Sequence, residues 1–591
     1  MRVRTQAPTS GKNREEQFAG LPTASQWEKI GCQPRFGTLI QLVSLRSKRN
    51  QGVGDFEDIN AFGDLLGHMG GSIIQLLPIN DMGRGKTPYS SLSAFALDPL
   101  YIAIDQIPEM KEDRSDGINS YLRANWHTVD EQKASRQVDV DRIRAFKFGA
   151  LYQLYRDFVD RNRPWNSERW RGFLSYVANN RYWLEDYATF RSLKNTLGWT
   201  SWNDWPEPYR YRHHDAISQY RRDHADEIQF FKYVQWMAYT QMVDAHNRCR
   251  KDGMHLKGDL PLLVDYESSD VWAHPQYFNR DVCAGAPPDQ YSTQGQNWGS
   301  PTYNWDNLCR DNYLWWRKRL EYASHFYDIF RIDHIVGLFR IWTYPITLEH
   351  PRGTPAGWNG YFDPEDPGGG HHKPIWESHG RNLLDMMVRS STMLPIGEDL
   401  GTIPRACRQV MAEMGIPGYK VIIWERDWQE EGSPFFNPDE YDYISMATTT
   451  THDFWTMAGH YEHREADEKE QESLETQKKD LWKFVMGRKK YSQEYTDDFH
   501  WSLLEKLFSS GSIFVILPFQ DLWGKVPGLY GDDVNYDRIN DPSNPSRDSN
   551  WSGKFPLNIE DFASHRDLAS RIDKIRGMVR DTGRHKNSPV E

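Results

Sequence analysis

Tyr327-Asp328-Ile329-Phe330-Arg331-Ile332-Asp333-His334 is an apolar segment that ends in a charged cluster. Residues 327–332 are rich in aromatic and β-branched side chains, the composition of a strand. Side chains alternate across a strand, so Arg331 and Asp333 share one side while Phe330 and Ile332 share the other. A guanidinium beside a carboxylate favours the ionised acid, the state a carboxylate nucleophile needs. The same pattern also fits a structural ion pair buried at a strand end.

Two more segments end in the same way. Met393-Leu394-Pro395-Ile396-Gly397-Glu398-Asp399-Leu400-Gly401 runs from apolar residues into paired acids and a glycine, and Tyr443-Ile444-Ser445-Met446-Ala447 leads through four threonines to His452-Asp453. Strand-like segments occur in order at Thr38–Leu45, Ser72–Ile79, His255–Val264, Ile329–Ile335, Met393–Glu398, Lys420–Trp424, Tyr443–Ala447 and Ser512–Phe519. Eight strands separated by helix-length segments, with acids where strands run out, predict an α/β fold: a (β/α)8 TIM barrel with its chemistry at the C-terminal rim.

Spacing predicts the domains. The stretch between the second and third strands far exceeds the dozen or so residues of a crossover. Its helical periodicity at Ser120–Trp126, Val138–Asn162, Trp165–Leu197 and Asp215–Lys251 reads as a large helical insertion. The expected organisation is a flexible N-terminal lead-in at 1–25, a catalytic barrel at 26–560 interrupted by a helical insertion at 105–250, and a polar C-terminal helix and tail at 561–591. Residues 349–373, rich in Gly, Pro and His, read as a loop; residues 462–490 read as a highly charged helical stretch with a solvated face.

Composition narrows the partners. A net charge of −12 with no long basic block argues against nucleic acid. Aromatics make up 14% of the chain; beyond those needed in the core, rings in loops suit stacking on the apolar faces of sugars. Five scattered cysteines without C-x-x-C spacing support neither a disulfide framework nor a zinc site. The polar N-terminus lacks the apolar core of a signal peptide, and no run of about 18 apolar residues suggests a membrane span. A cytoplasmic protein without a membrane partner is expected.

Cleaving a glycosidic bond with retention needs a nucleophilic carboxylate and a general acid flanking one anomeric carbon. Asp333 has its cation. Glu398 follows Pro395 and Ile396, whose apolar surroundings would raise its pKa and keep a proton available. Asp453 fits a role in stabilising positive charge on the sugar. Asp333, His334, His452 and Asp453 are also possible metal ligands, but the first three strands add no histidine cluster, so no metal and no other cofactor is expected.

The chain resembles the 4-α-glucanotransferases of glycoside hydrolase family 77, the amylomaltases or disproportionating enzymes. The resemblance runs from about Pro34 to Phe555. It is carried by Thr87-Pro88-Tyr89-Ser90-Ser91-Leu92-Ser93-Ala94-Phe95, Trp202-Asn203-Asp204-Trp205-Pro206-Glu207-Pro208, Gly258-Asp259-Leu260-Pro261, Ala284-Gly285-Ala286-Pro287-Pro288-Asp289, Gly295-Gln296-Asn297-Trp298-Gly299, and the three acid motifs. It implies Asp333 as nucleophile, Glu398 as acid/base and Asp453 as transition-state stabiliser. It further implies sugar contacts from Arg331, His334, His452, Tyr89, Asp289, Gln296, Trp298 and Asn540, with 287–298 as a loop over the acceptor side. The implied reaction is retaining transfer of an α-1,4-glucan segment to the 4-hydroxyl of another glucan or glucose. The partners would be maltose, maltodextrins, glycogen or starch. A glucan hydrolase using the same residues and a non-catalytic glycan-binding protein are the alternatives. The chain departs from the family pattern at Trp455, where many amylomaltases carry a second acid, and at Val264-Asp265-Tyr266-Glu267.

Overall fold

The structure is a computed structural model, and it describes residues 16–111, 114–288, 294–354, 356–365, 374–464 and 467–585. Eight parallel strands close a barrel: β1 (Arg35–Ile40), β2 (Ile73–Leu76), β3 (His255–Leu260), β4 (Ile329–Ile332), β5 (Leu394–Gly397), β6 (Gly418–Val421), β7 (Ser445–Thr448) and β8 (Phe514–Pro518). Each overlaps its expected segment, and β1 pairs with β8 to complete the ring. The strands are shorter than their apolar runs. After β1, for example, Leu42–Ser44 turns as a 3-10 helix while remaining buried. Burial extends beyond the hydrogen-bonded ladder, so hydrophobicity overstates strand length.

The barrel is filled by layers. Ile73, Ile329, Leu394, Ile396, Met446, Phe514 and Ile516 form the lower core, together with Phe18 and Trp27 from the N-terminal segment. The Trp27 ring stacks on Phe514 at 5.6 Å and meets Phe18 edge-on. Within residues 16–25, from the expected lead-in, Phe18 and Thr23 are buried while most of the others stay exposed, and burial of the Phe18 ring anchors the segment at the barrel floor. Access to the interior is from the opposite, C-terminal end. Higher up, Lys257 points inward from β3 and donates to Gln75 (2.8 Å), Tyr419 (3.1 Å) and the Met446 sulfur. Burial pushes its ammonium well below the usual lysine value. Gly258, the next residue, faces outward where a Cβ would collide with the Tyr327 ring; only glycine lets that ring pack flush on the strand.

Between β2 and β3 the chain forms the large helical insertion, with long helices at Asp116–Ala134, Val140–Asn162, Glu168–Asn179, Arg181–Thr196, His214–Asp223 and Ala225–Lys251. The expected 165–197 helix is broken at Asn180, whose amide donates to the Tyr176 carbonyl in competition with the helical ladder. The atypical 264–267 stretch ties this insertion to the barrel: Lys194 binds Glu267 at 2.6 Å and the Trp202 indole donates to the Tyr266 carbonyl. Beyond the rim lies an antiparallel sheet in the order Tyr361–Asp363, Ile341–Pro345, Val282–Ala286, Gln296–Asn297. The expected 349–373 loop thus contributes a short strand. In the 462–490 segment, helix Glu468–Met486 buries Leu474, Leu481 and Trp482 opposite its charged face, with Trp482 stacked on Phe499. Helix Arg566–Asp581 likewise buries Leu568, Ile572, Ile575 and Val579. No described helix is long and apolar enough to cross a membrane.

Candidate active site

Arg331 is the centre of the rim. The pleat turns it into the barrel, while Phe330 and Ile332 pack outward in the main core. Register puts Asp259 of β3 directly beside it, and both oxygens of that carboxylate lie 2.9 Å from Nη1. The other nitrogen, Nη2, reaches Asp333 at 2.8 Å and Glu398 at 3.8 Å. Three acids from three strand ends therefore surround one buried guanidinium, whose planar fork suits several carboxylates at once.

The two carboxylates on Nη2 are not equivalent. Burial raises Glu398 to about 8, with Arg331 opposing and Asp333 reinforcing the rise. Burial also lifts Asp333 above the ordinary aspartate value, against the pull of Arg331. Arg331 stands closer to Asp333, so the first negative charge belongs there and the retained proton belongs on Glu398.

His334 adopts a left-handed backbone (φ 47°), uncommon for a residue with a Cβ. This aims its N–H at Glu398 Oε2, 2.9 Å away. The backbone also braces Glu398, whose N–H donates to Ile332 and whose carbonyl accepts from Ile335. Burial, aided by Arg331, lowers the His334 ring to about 4 and leaves it neutral. Asp453 is the opposite case. Burial would raise it, but the His452 ring at 3.2 Å and the Asn540 amide at 2.6 Å hold it at about 2. Asn540 is in turn fixed by its backbone N–H to the His452 carbonyl.

An aromatic wall completes the site. Tyr89 and His452 are stacked at 5.4 Å with planes 7° apart, and Trp551 lies 5.8 Å from each. The Tyr89 hydroxyl donates to Asp259 at 2.7 Å. On the far side Trp298 meets His334 edge-on at 5.0 Å while its indole N–H donates to the Gln296 side-chain Oε1.

The structure thus brings together Asp333, Glu398, Asp453, Arg331, His334, His452, Tyr89 and Asn540, and reaches Gln296 through Trp298. Asp289 lies outside the described residues. Asp259 is an addition: it lies in the Gly258-Asp259-Leu260-Pro261 motif, which by itself gives it no role. Asp259 carried a usable signal, since an acid two residues after an inward-pointing lysine on a barrel strand must also face inward. Trp455, in place of a second acid, lies under the Arg538 guanidinium at 4.5 Å.

Arg331→Met should lower the unfolding free energy by about 3–5 kcal/mol, because it strands buried carboxylates without their partner. Urea denaturation measures this; a loss below about 1 kcal/mol would mean the acids do not depend on the guanidinium.

The family profile described as 4-alpha-glucanotransferase matches residues 40–558. A 4-alpha-glucanotransferase of Chlamydia caviae is 32% identical over 558 residues, covering 94% of this chain and 97% of that protein. Among solved structures, an amylomaltase from Streptococcus agalactiae in complex with acarbose superposes with a TM-score of 0.72 at 23% identity, over 94% of this chain and all of that one. The amylomaltase from Corynebacterium glutamicum gives 0.76 at 20% identity, over 94% of this chain and 77% of that one. These two likenesses concern the fold.

Proposed function

We propose a double-displacement mechanism for this chain, which belongs to the 4-alpha-glucanotransferase family, glycoside hydrolase family 77. It is a 4-alpha-glucanotransferase acting on α-1,4-glucans. In the proposed first step the Asp333 carboxylate attacks the anomeric carbon, the bond from that carbon to the departing 4-oxygen breaks, and Glu398 gives that oxygen its proton. The product is a glycosyl ester on Asp333. In the second step the 4-hydroxyl of an acceptor glucan loses its proton to the Glu398 carboxylate and displaces Asp333. Two inversions give net retention.

The observation that carries this reading is the shared Arg331 Nη2, close to Asp333 and more distant from Glu398. It supports a charged nucleophile beside a protonated acid, near enough for one anomeric carbon to bridge them. Asp453, held ionised, would oppose the positive charge that develops on the ring. Neutral His334 and the Tyr89–His452 pair supply sugar contacts, and Asn540 keeps Asp453 aligned. Trp298 packs against His334, and excluding water there favours transfer over hydrolysis.

We also propose the division into lead-in, barrel, 105–250 insertion and C-terminal helix as the domain organisation. A cytoplasmic location is part of the same reading, supported by five free thiols. Maltose, maltodextrins, glycogen and starch are the proposed substrates.

Two measurements test the roles. Maltotriose should yield a ladder of longer oligosaccharides; glucose and maltose alone would turn the reading towards hydrolysis. Acid quenching during turnover, followed by peptide mass spectrometry, should find the glycosyl adduct on Asp333. An adduct on another acid would overturn the assignment.

A further inference from the structure

We propose that Trp358 is an outer acceptor subsite, a stacking platform for α-1,4-glucan units beyond the rings held at the catalytic acids. The proposal rests on the glucanotransferase reading and deepens it. Trp358 is 71% exposed, one of the largest bare rings among the described residues. Scattered exposed apolar residues are ordinary; Trp165 on the helical insertion is 81% exposed. What distinguishes Trp358 is how it is wired to the active site.

The segment bearing it is laced to the loop that carries Trp298. Gly357 N–H donates to the Gln294 carbonyl at 3.2 Å, the Asn297 amide donates to the Thr354 carbonyl at 3.0 Å, and Arg352 donates to the Gly299 carbonyl at 2.7 Å. The Tyr344 hydroxyl lies 3.2 Å from both the Ala286 and Gly357 carbonyls, bridging the two segments from below. Platform and loop therefore belong to one sheet unit. Trp298 lies four positions beyond Gln294, a span of at most about 14 Å. Trp298 in turn touches His334, whose backbone holds Glu398. A glucan leaving the catalytic centre along this loop would reach Trp358 within a few sugar units.

The ring is also held for the task. Trp342, buried in the strand beside the loop, meets Trp358 edge-on at 6.0 Å with planes 89° apart. An edge contact of this kind is a preferred aromatic arrangement, and the side chain is steadied while most of its surface stays open. A flat, fixed, solvent-facing indole recognises the apolar face of a glucose ring. It carries no charge to select an ionic ligand.

The test varies acceptor length with a fixed donor. Trp358→Ala should raise KM for a seven-unit maltodextrin acceptor about tenfold, equivalent to about 1.4 kcal/mol, while KM for glucose as acceptor and kcat stay unchanged. Trp358→Phe should keep most of the long-acceptor affinity, and Trp165→Ala should leave both acceptors unaffected. Equal KM for the long acceptor in wild type and Trp358→Ala would overturn the subsite, as would a matching rise for glucose. Failure of wild-type protein to transfer to any acceptor would instead count against the activity itself. Retained transfer to glucose reports that the variant is folded.

Discussion

Asp333→Asn is expected to lower the rate of maltotriose disproportionation by at least about 10⁴-fold, on the scale found when a covalent nucleophile is removed. The amide matches the carboxylate in shape, so the hydrogen-bonding frame around Arg331 remains. It cannot form the glycosyl ester. Loss of a negative charge at 2.8 Å from Arg331 also removes the partner that Nη2 engages most closely. The guanidinium is then freer to attract Glu398, whose proton becomes harder to keep. Both effects oppose the first step. The variant should still bind maltodextrin, because His334, His452 and Tyr89 are untouched. Initial rates with maltotriose and binding by calorimetry separate the two quantities. Residual transfer above about one per cent of wild type would remove Asp333 from the nucleophilic role.

Glu398→Gln has a second, different signature. General acid and base assistance typically contributes about 10²–10⁴-fold, and a loss near 10³-fold is expected with maltotriose. The sign of the pH dependence follows from burial. Glu398 is held up at about 8, so it carries its proton at neutral pH and loses it as pH rises through that value. The first step requires the proton. Thus kcat/KM should be level near neutrality and fall about tenfold per pH unit above 8, and the Gln variant should lack that limb. A donor whose leaving group needs no proton, such as α-glucosyl fluoride, should restore glycosylation in Glu398→Gln but not in Asp333→Asn. An unchanged alkaline limb in Glu398→Gln would assign that titration to another group.

Parts of this were legible along the chain because they depend on local periodicities. The period-two alternation of β4 put Arg331 and Asp333 on one face, and the glycine and acids ending β5 marked a rim. Other features depended on contacts between distant segments. The Trp165–Leu197 helix was read as continuous because helical periodicity persists through Asn180, although the local amide bond there interrupts it. In the 462–490 segment charge marks the solvated face, while the buried face shows only as a narrow apolar stripe. The N-terminal segment looked loose because it is polar overall; two rings, Phe18 and Trp27, fasten it.

By itself, the sequence determined the strand segments, their order along the chain and the acids that follow them, because each shows in residues a few positions apart. Closure of the ring rests on β1 pairing with β8 across the whole chain. Only the tertiary structure decided that Asp259 would share Arg331 with Asp333 and Glu398, because strand register links residues 259 and 331 across the sheet. It also decided that Glu398 would keep a proton while Asp453 lost one. Those opposite outcomes come from a guanidinium shared unequally on one side and from His452 and Asn540 on the other. Glu398 is also the more enclosed of the two, its side chain 15% exposed against 46% for Asp453, and the charge state of each is set by partners that folding alone brings within hydrogen-bonding reach.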